Sequence, residues 1–236
     1  MMAPLLLLLA GGFLSPWEGA PSAGVLRDPP PPATVDSVLV LARLRYEGGG
    51  DWYTGPSMLP NLAAELRTRT GLPISTREAA VSPMDPLLRS HPFLFMTGHG
   101  NVRFSPEERT ALREHLLSGG FLHADDNYGL DESFRREMAL IFPDRELVEL
   151  PPTHPIFRAP YSFPEGLPKI HEHDGRVPQA LGIFNGGRLM VLYTYETDLG
   201  NGWEDEGVHD DPPAVREQAL RMGINIVFHA LAQVAP

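Results

Sequence analysis

A chain of 236 residues with 42% hydrophobic content is long enough for one substantial core, and its length does not call for a second domain. Its net charge of -11, from 30 acidic against 19 basic residues, argues against nucleic acid or anionic lipid as the main partner, because both demand concentrated positive charge. The absence of cysteine removes a disulfide framework, a thiolate nucleophile and Cys-ligated zinc, so any metal must be held by His and carboxylate groups.

Residues 1–23 open with an almost wholly apolar block from Leu5 to Leu14, followed by small residues to Ala23. A membrane span needs about 20 apolar residues, so the pattern predicts a secretory signal peptide and an exported, periplasmic or extracellular protein. The block has no Lys or Arg before it and no clear cleavage pattern, which leaves an uncleaved anchor or a displaced start codon open. Membrane contact is expected only through that segment, if it is retained. Residues 24–34 contain Pro29-Pro30-Pro31-Pro32, a stiff extended linker, and a single domain is expected over 35–236.

The run Val38 to Ala42 reads as a buried first strand, followed by a flexible loop around Gly48-Gly49-Gly50. Leu62, Ala63 and Leu66 share one face of a helix over Leu59 to Thr70, which Gly71 stops. Phe93 to Thr97 is a core strand. Ser105-Pro106-Glu107-Glu108 is a capping box with Pro at the first helical position, opening a helix to about Leu117. A strand over Phe121 to Ala124, a helix over Glu132 to Ile141 and a short strand near Leu147 to Leu150 follow. Ala180 to Phe184 and Arg188 to Thr194 flank Asn185-Gly186-Gly187, a hairpin signal. A last helix runs from Ala214 to Ala232. Alternating strands and helices imply parallel pairing, so the expected fold is an α/β three-layer sandwich with a mainly parallel central sheet.

The polar clusters fall where such a sheet ends, and the strand-to-helix edge is where ligand crevices form. Gly98-His99-Gly100-Asn101 leaves a strand with glycines around an imidazole, which suits either ligand binding or a plain tight turn. In His123-Ala124-Asp125-Asp126-Asn127, strand alternation puts His123 and Asp125 on one face, and adjacent carboxylates raise one another's pKa unless a cation or donor intervenes. A metal ion, an acid–base role or a helix-capping Asp would each account for the pair. In His171-Glu172-His173-Asp174, an extended backbone places His171 and His173 on one side, a spacing that can chelate a divalent cation and that also occurs in loops without metal. Tyr195-Glu196-Thr197-Asp198 followed by Gly200-Asn201-Gly202-Trp203-Glu204-Asp205, and the cluster Gly48-Gly49-Gly50-Asp51-Trp52-Tyr53, combine acids, glycines and aromatics, which suits a sugar, a cation or an ordinary solvated loop. The remaining histidines, His91, His115, His154, His209 and His229, are assigned to surface or core. No G-x-S-x-G elbow, Walker pattern, dinucleotide fingerprint or EF-hand loop is present.

The strings Tyr46-Glu47-Gly48-Gly49-Gly50-Asp51-Trp52-Tyr53, Met96 to Gly100, Gly120 to Gly129, Leu167 to Gly175 and Tyr195 to Gly200 together resemble the bacterial family carrying domain of unknown function 4159, over about Val38 to Leu231. The resemblance implies a fold similar to the class I glutamine amidotransferase-like superfamily. Gly119-Gly120-Phe121-Leu122-His123 and His154-Pro155-Ile156 also resemble segments of its ThuA-like members. With no Cys nucleophile, amidotransfer does not follow.

The residues therefore predict an exported domain that binds a small polar, carbohydrate-like ligand in a strand-end pocket, with metal-assisted hydrolysis as one form of its activity. In that form His123, Asp125, His171 and His173 hold a divalent metal ion, and Asp126 or Glu172 takes a proton from bound water. His99, Asn101, Asn127, Tyr128, Glu196, Asp198 and Trp52 contact the ligand. The rival expectation is a non-catalytic interaction module of the cell envelope, in which the same clusters only stitch loops together.

Overall fold

The computed structural model describes residues 38–233, so the expected signal peptide and linker lie outside the described residues. Seven strands form one sheet: β1 (Ala42–Leu44), β2 (Ala79–Val81), β3 (Phe93–Met96), β4 (Phe121–Asp125), β5 (Val148–Glu149), β6 (Gln179–Asn185) and β7 (Arg188–Tyr195). Their order is β2-β1-β3-β4-β7-β6-β5. The first five in that order pair in parallel, and β6 and β5 continue the sheet antiparallel. Among the described residues four α-helices cover it: α1 (Met58–Thr70), α2 (Pro106–Leu117), α3 (Asp131–Ile141) and α4 (Pro213–Ala232).

Strand alternation sorts the core into two layers. Phe93, Phe95 and Phe121 pack with α1 and α4, whose Leu59, Leu62, Met222 and Ile226 are fully buried. Leu94, Met96, Leu122 and Ala124 face Leu112, Leu116, Phe134 and Met138 of α2 and α3. This is the three-layer α/β sandwich with a mainly parallel sheet. Strands buried on both faces read as continuous apolar runs, which is why β3 and β7 stand out in the sequence.

The local signals act as expected at α1 and α2. Gly71 ends α1 in the left-handed conformation at φ 71°, its N–H bonded to the Arg67 carbonyl. The reciprocal capping box of Ser105 and Glu108 starts α2. Strand β2 has no counterpart among the elements expected from the sequence. It is a three-residue edge strand, Ala79–Val81, too short and too weakly patterned to show a period, and its pairing with β1 alone makes it a strand.

Among the described residues, no helix is long and apolar enough to cross a membrane.

Candidate functional site at the carboxyl ends of the parallel strands

From β1 the chain crosses to β2 on one side and returns to β3 on the other, so the β1–β3 boundary is a topological switch point. Loops leave such a point in opposite directions and open a crevice at the carboxyl ends of the strands. A cavity of about 410 Å³ occupies that edge. Thr54 reaches it from the loop after β1, His99 from the loop after β3, and Asn127 and Tyr128 from the loop after β4. Asp198, Asn201, Glu204 and His209 come from the segment after β7, and His171, Glu172 and His173 from the segment before β6. Among the described residues, no Lys or Arg lines it.

Three of its four imidazoles are backed by a carboxylate. His99 Nδ1 lies 3.0 Å from Asp51, whose carboxylate also accepts from the His99 backbone N–H. His173 Nε2 lies 3.2 Å from Asp198 Oδ2, and His209 Nε2 lies 2.9 Å from Glu204 Oε1. His171 stands between the last two, its ring centre 6.1 Å from that of His173 and 6.2 Å from that of His209. A carboxylate on one ring nitrogen fixes the imidazole's orientation and raises its basicity. The hydrogen bond to Asp198 accordingly raises the His173 pKa against the opposing effect of burial. Burial would raise the Asp51 carboxyl, yet the His99 backbone and ring hold it below its ordinary value.

Asp198 is the best-supplied acceptor in the site. Besides His173, it accepts from the Asn201 side chain, and the Asn127 amide nitrogen, turned toward it, lies 3.0 Å from Oδ2. The turn that carries it is strained. The four non-glycine residues with positive φ among those described are Tyr128 (60°), Glu196 (58°), Asp198 (59°) and Asp210 (54°). Tyr128 and Asp198 line the cavity, Asp210 follows His209, and Glu196 lies two residues before Asp198. Such conformations cost about 1–3 kcal/mol each and persist only where surrounding contacts over-determine them. For Glu196 those contacts are Lys169 Nζ at 3.0 Å and the Asp174 N–H at 3.3 Å. Burial of Glu196 raises its carboxyl, but the Lys169 ammonium more than offsets this.

The expected four-ligand metal site is not assembled, and no group of three or more His, Cys, Asp or Glu placed to hold an ion occurs among the described residues. His123 and Asp125 do share a face of β4, as alternation requires, but both are fully buried and point into the core layer of α1 and α4. The His123 ring packs 5.4 Å from Phe95 and 5.8 Å from Trp203, centre to centre. Its Nε2 lies 3.0 Å from Thr194 Oγ1, which also bonds to Asp125 Oδ1. Burial drives the His123 pKa down to about 3. His171 and His173 line the cavity, whereas His123 and Asp125 do not.

Other expected positions divide in the same way. Asp126 is buried and accepts from the Leu130 N–H at 3.2 Å in the turn that leads into α3, a helix with no side-chain cap of its own, and burial pushes its carboxyl up to about 6. Glu172 lines the cavity with its side chain 69% exposed. His99, Asn127, Tyr128, His171, His173 and Asp198 are brought together. Asn101 is not: it bonds to the Gly48 carbonyl and to Arg136 beside a different depression. Trp52 lies near Arg45 in another hollow, and Glu196 serves the Lys169 anchor. Sequence reasoning missed Thr54 and assigned His209 to surface or core. An imidazole alone in the acidic stretch from Glu204 to Asp211 carries no pattern that ties it to a distant His–x–His.

A mainly parallel sheet with a polar, imidazole-rich cavity at its switch point defines a three-layer α/β protein. The chain belongs to the family described as domain of unknown function DUF4159, whose model matches residues 40–231. No curated protein matches it.

Proposed function

We propose that the strand-end cavity binds a small polar, uncharged ligand of carbohydrate type, and that His173, backed by Asp198, moves a proton on it in a hydrolytic reaction. The His173–Asp198 pair carries this reading. Its Nε2 is committed to Asp198, so Nδ1, which has no partner among the described residues, is the nitrogen left for a ligand. That nitrogen is buried, and the Tyr128 ring, itself 56% exposed, packs edge-on against the His173 ring at 5.4 Å. With no Lys or Arg in the lining among the described residues, a phosphorylated or carboxylate ligand finds no permanent cation there, whereas hydroxyl groups find the donors and acceptors of Thr54, Asn127, Asn201 and Glu172. With no cysteine and no G-x-S-x-G elbow, water activated by His173 is the attacking group in this proposal.

The order β2-β1-β3-β4, with the crevice at the switch point, supports kinship with the class I glutamine amidotransferase-like superfamily and its ThuA-like members. Export by the N-terminal segment belongs to the same proposal, and the apolar block from Leu5 to Leu14 supports it. The rival, a non-catalytic cell-envelope module, draws support from the private pairing of three imidazoles with carboxylates.

Titrating ¹⁵N-labelled protein with a panel of neutral oligosaccharides tests binding, and release of reducing ends tests hydrolysis. The proposal expects shifts at His173 and Tyr128 and turnover abolished by His173→Gln. A panel that moves no cavity resonance overturns the ligand class; binding without turnover favours the module.

A further inference from the structure

Beneath the cavity, Asp125 closes a chain of fully buried polar groups. Its Oδ2 accepts from the Gly200 N–H at 2.7 Å, and its Oδ1 bonds to Thr194 Oγ1. Thr194 Oγ1 in turn lies 3.0 Å from His123 Nε2 and 3.3 Å from the Ala124 carbonyl. Among the described residues no cationic side chain pairs with Asp125. Gly200 sits two residues after Asp198, inside the turn that holds Asp198 at positive φ. A Cβ at Gly200 would approach Met58 Sδ to 2.8 Å, so the turn is pressed close onto α1.

We infer that Asp125 is a positioning residue for the His173–Asp198 pair: it grips the Gly200 amide from inside the core, fixes the turn that aims Asp198 at His173, and acts by hydrogen bonding rather than by charge. An ionised carboxylate with no cation beside it, in a fully buried site next to a second carboxylate, is costly. A carboxylic acid avoids that cost, with its hydroxyl donating to Thr194 Oγ1 and its carbonyl accepting from Gly200. Burial first, and the Asp198 charge second, push the Asp125 carboxyl in the same direction. An asparagine reproduces both bonds, its amide nitrogen donating to Thr194 and its oxygen accepting from Gly200. A leucine of similar size reproduces neither.

The inference rests on His173–Asp198 as the acting pair, but its test reads the ligand-free protein, so it stands or falls separately from any turnover. The ¹⁵N–¹H cross peak of His173 Nε2–H, bonded to Asp198, is recorded for the wild type, Asp125→Asn and Asp125→Leu. Asp125→Asn is expected to keep the cross peak at its wild-type position, and Asp125→Leu to lose it to solvent exchange while the protein still melts cooperatively. Loss in Asp125→Asn as well would show that the charge is required, and retention in Asp125→Leu would show that no positioning occurs; either overturns the inference. Should Asp125→Leu not fold, the wild type decides through the scalar coupling across the hydrogen bond from the Gly200 amide to the Asp125 carboxyl carbon. Its presence, with the cross peak kept in Asp125→Asn, upholds the inference, and its absence refutes it.

Discussion

Asp198 and His173 meet at 3.2 Å although they belong to the segment after β7 and the segment before β6, and 25 positions separate them. The His173 pKa is raised in the folded chain, first by that hydrogen bond. A histidine with a raised folded value stabilises the fold fully below its unfolded pKa, and this contribution disappears as pH rises through the folded value. Asp198→Asn should therefore cost about 1.5–3 kcal/mol at pH 5, the range for hydrogen bonds to charged groups, and clearly less at pH 9. Urea unfolding at the two pH values measures the difference. Equal losses at both would mean that the imidazolium form gains nothing from Asp198.

His123 works in the opposite direction. Burial depresses its pKa to about 3, so the unfolded chain takes up a proton at higher pH than the folded one. Stability from the neutral buried ring is complete above the unfolded value and drains away as pH falls toward the folded value. His123→Phe fits the layer of Phe95 and Trp203 and loses only the bond to Thr194, at about 1 kcal/mol near pH 7. Its deficit against the wild type should shrink or reverse between pH 6 and pH 4, as followed by melting temperature. A deficit that widens on acidification would refute the neutral core imidazole.

Asp126 has a raised folded value of about 6 because it is buried. For a carboxyl this penalty is absent below the unfolded value and complete above the folded one. Asp126→Asn keeps an oxygen to accept from Leu130 N–H and removes the charge. A tenfold weaker acid in the folded chain corresponds to a penalty of about 1.4 kcal/mol on the ionised form, so the variant should be more stable than the wild type by about 1–3 kcal/mol at pH 8, an advantage that falls to a fraction of this by about pH 4. Chemical denaturation at both pH values is the check. A destabilised variant at pH 8 would show that Asp126 bears a needed charge.

Tyr128 combines a left-handed backbone, at φ 60°, with an exposed ring that packs edge-on against His173. Glycine adopts that φ without the steric cost of a bulky side chain. Tyr128→Gly should raise stability by up to about 1 kcal/mol, where the relief outweighs glycine's greater unfolded-state entropy, while weakening binding of the neutral oligosaccharide that shifts the cavity resonances. Unfolding experiments and a binding isotherm on one preparation read both effects. Unchanged affinity would remove Tyr128 from the ligand surface.

Much of the architecture is local. The apolar runs at Phe93 to Met96 and Phe121 to Ala124, the Ser105–Glu108 box and the Gly71 stop each act over a few residues, and each element formed where its pattern stood. Strand β2 shows no such pattern because an edge strand of three residues is defined by its neighbour β1. The cavity shows the same divide. His99, Asn127, Tyr128, His171, His173 and Asp198 stood out as polar groups at element ends, and they converge.

By itself, the sequence determined the four helices and the strands with a pattern of their own, though not β2, that β4 presents His123 and Asp125 on one side, and which polar clusters occupy the loops, because periodicity and capping are short-range effects. The tertiary structure alone decided that this side of β4 is sealed by Phe95 and Trp203, that His209 joins His171 and His173, and that Asn101 and Trp52 turn elsewhere. Whether a polar side chain meets solvent, a partner or the core depends on which helix packs over it. That packing is set by contacts between residues far apart in the chain, and no local pattern encodes it.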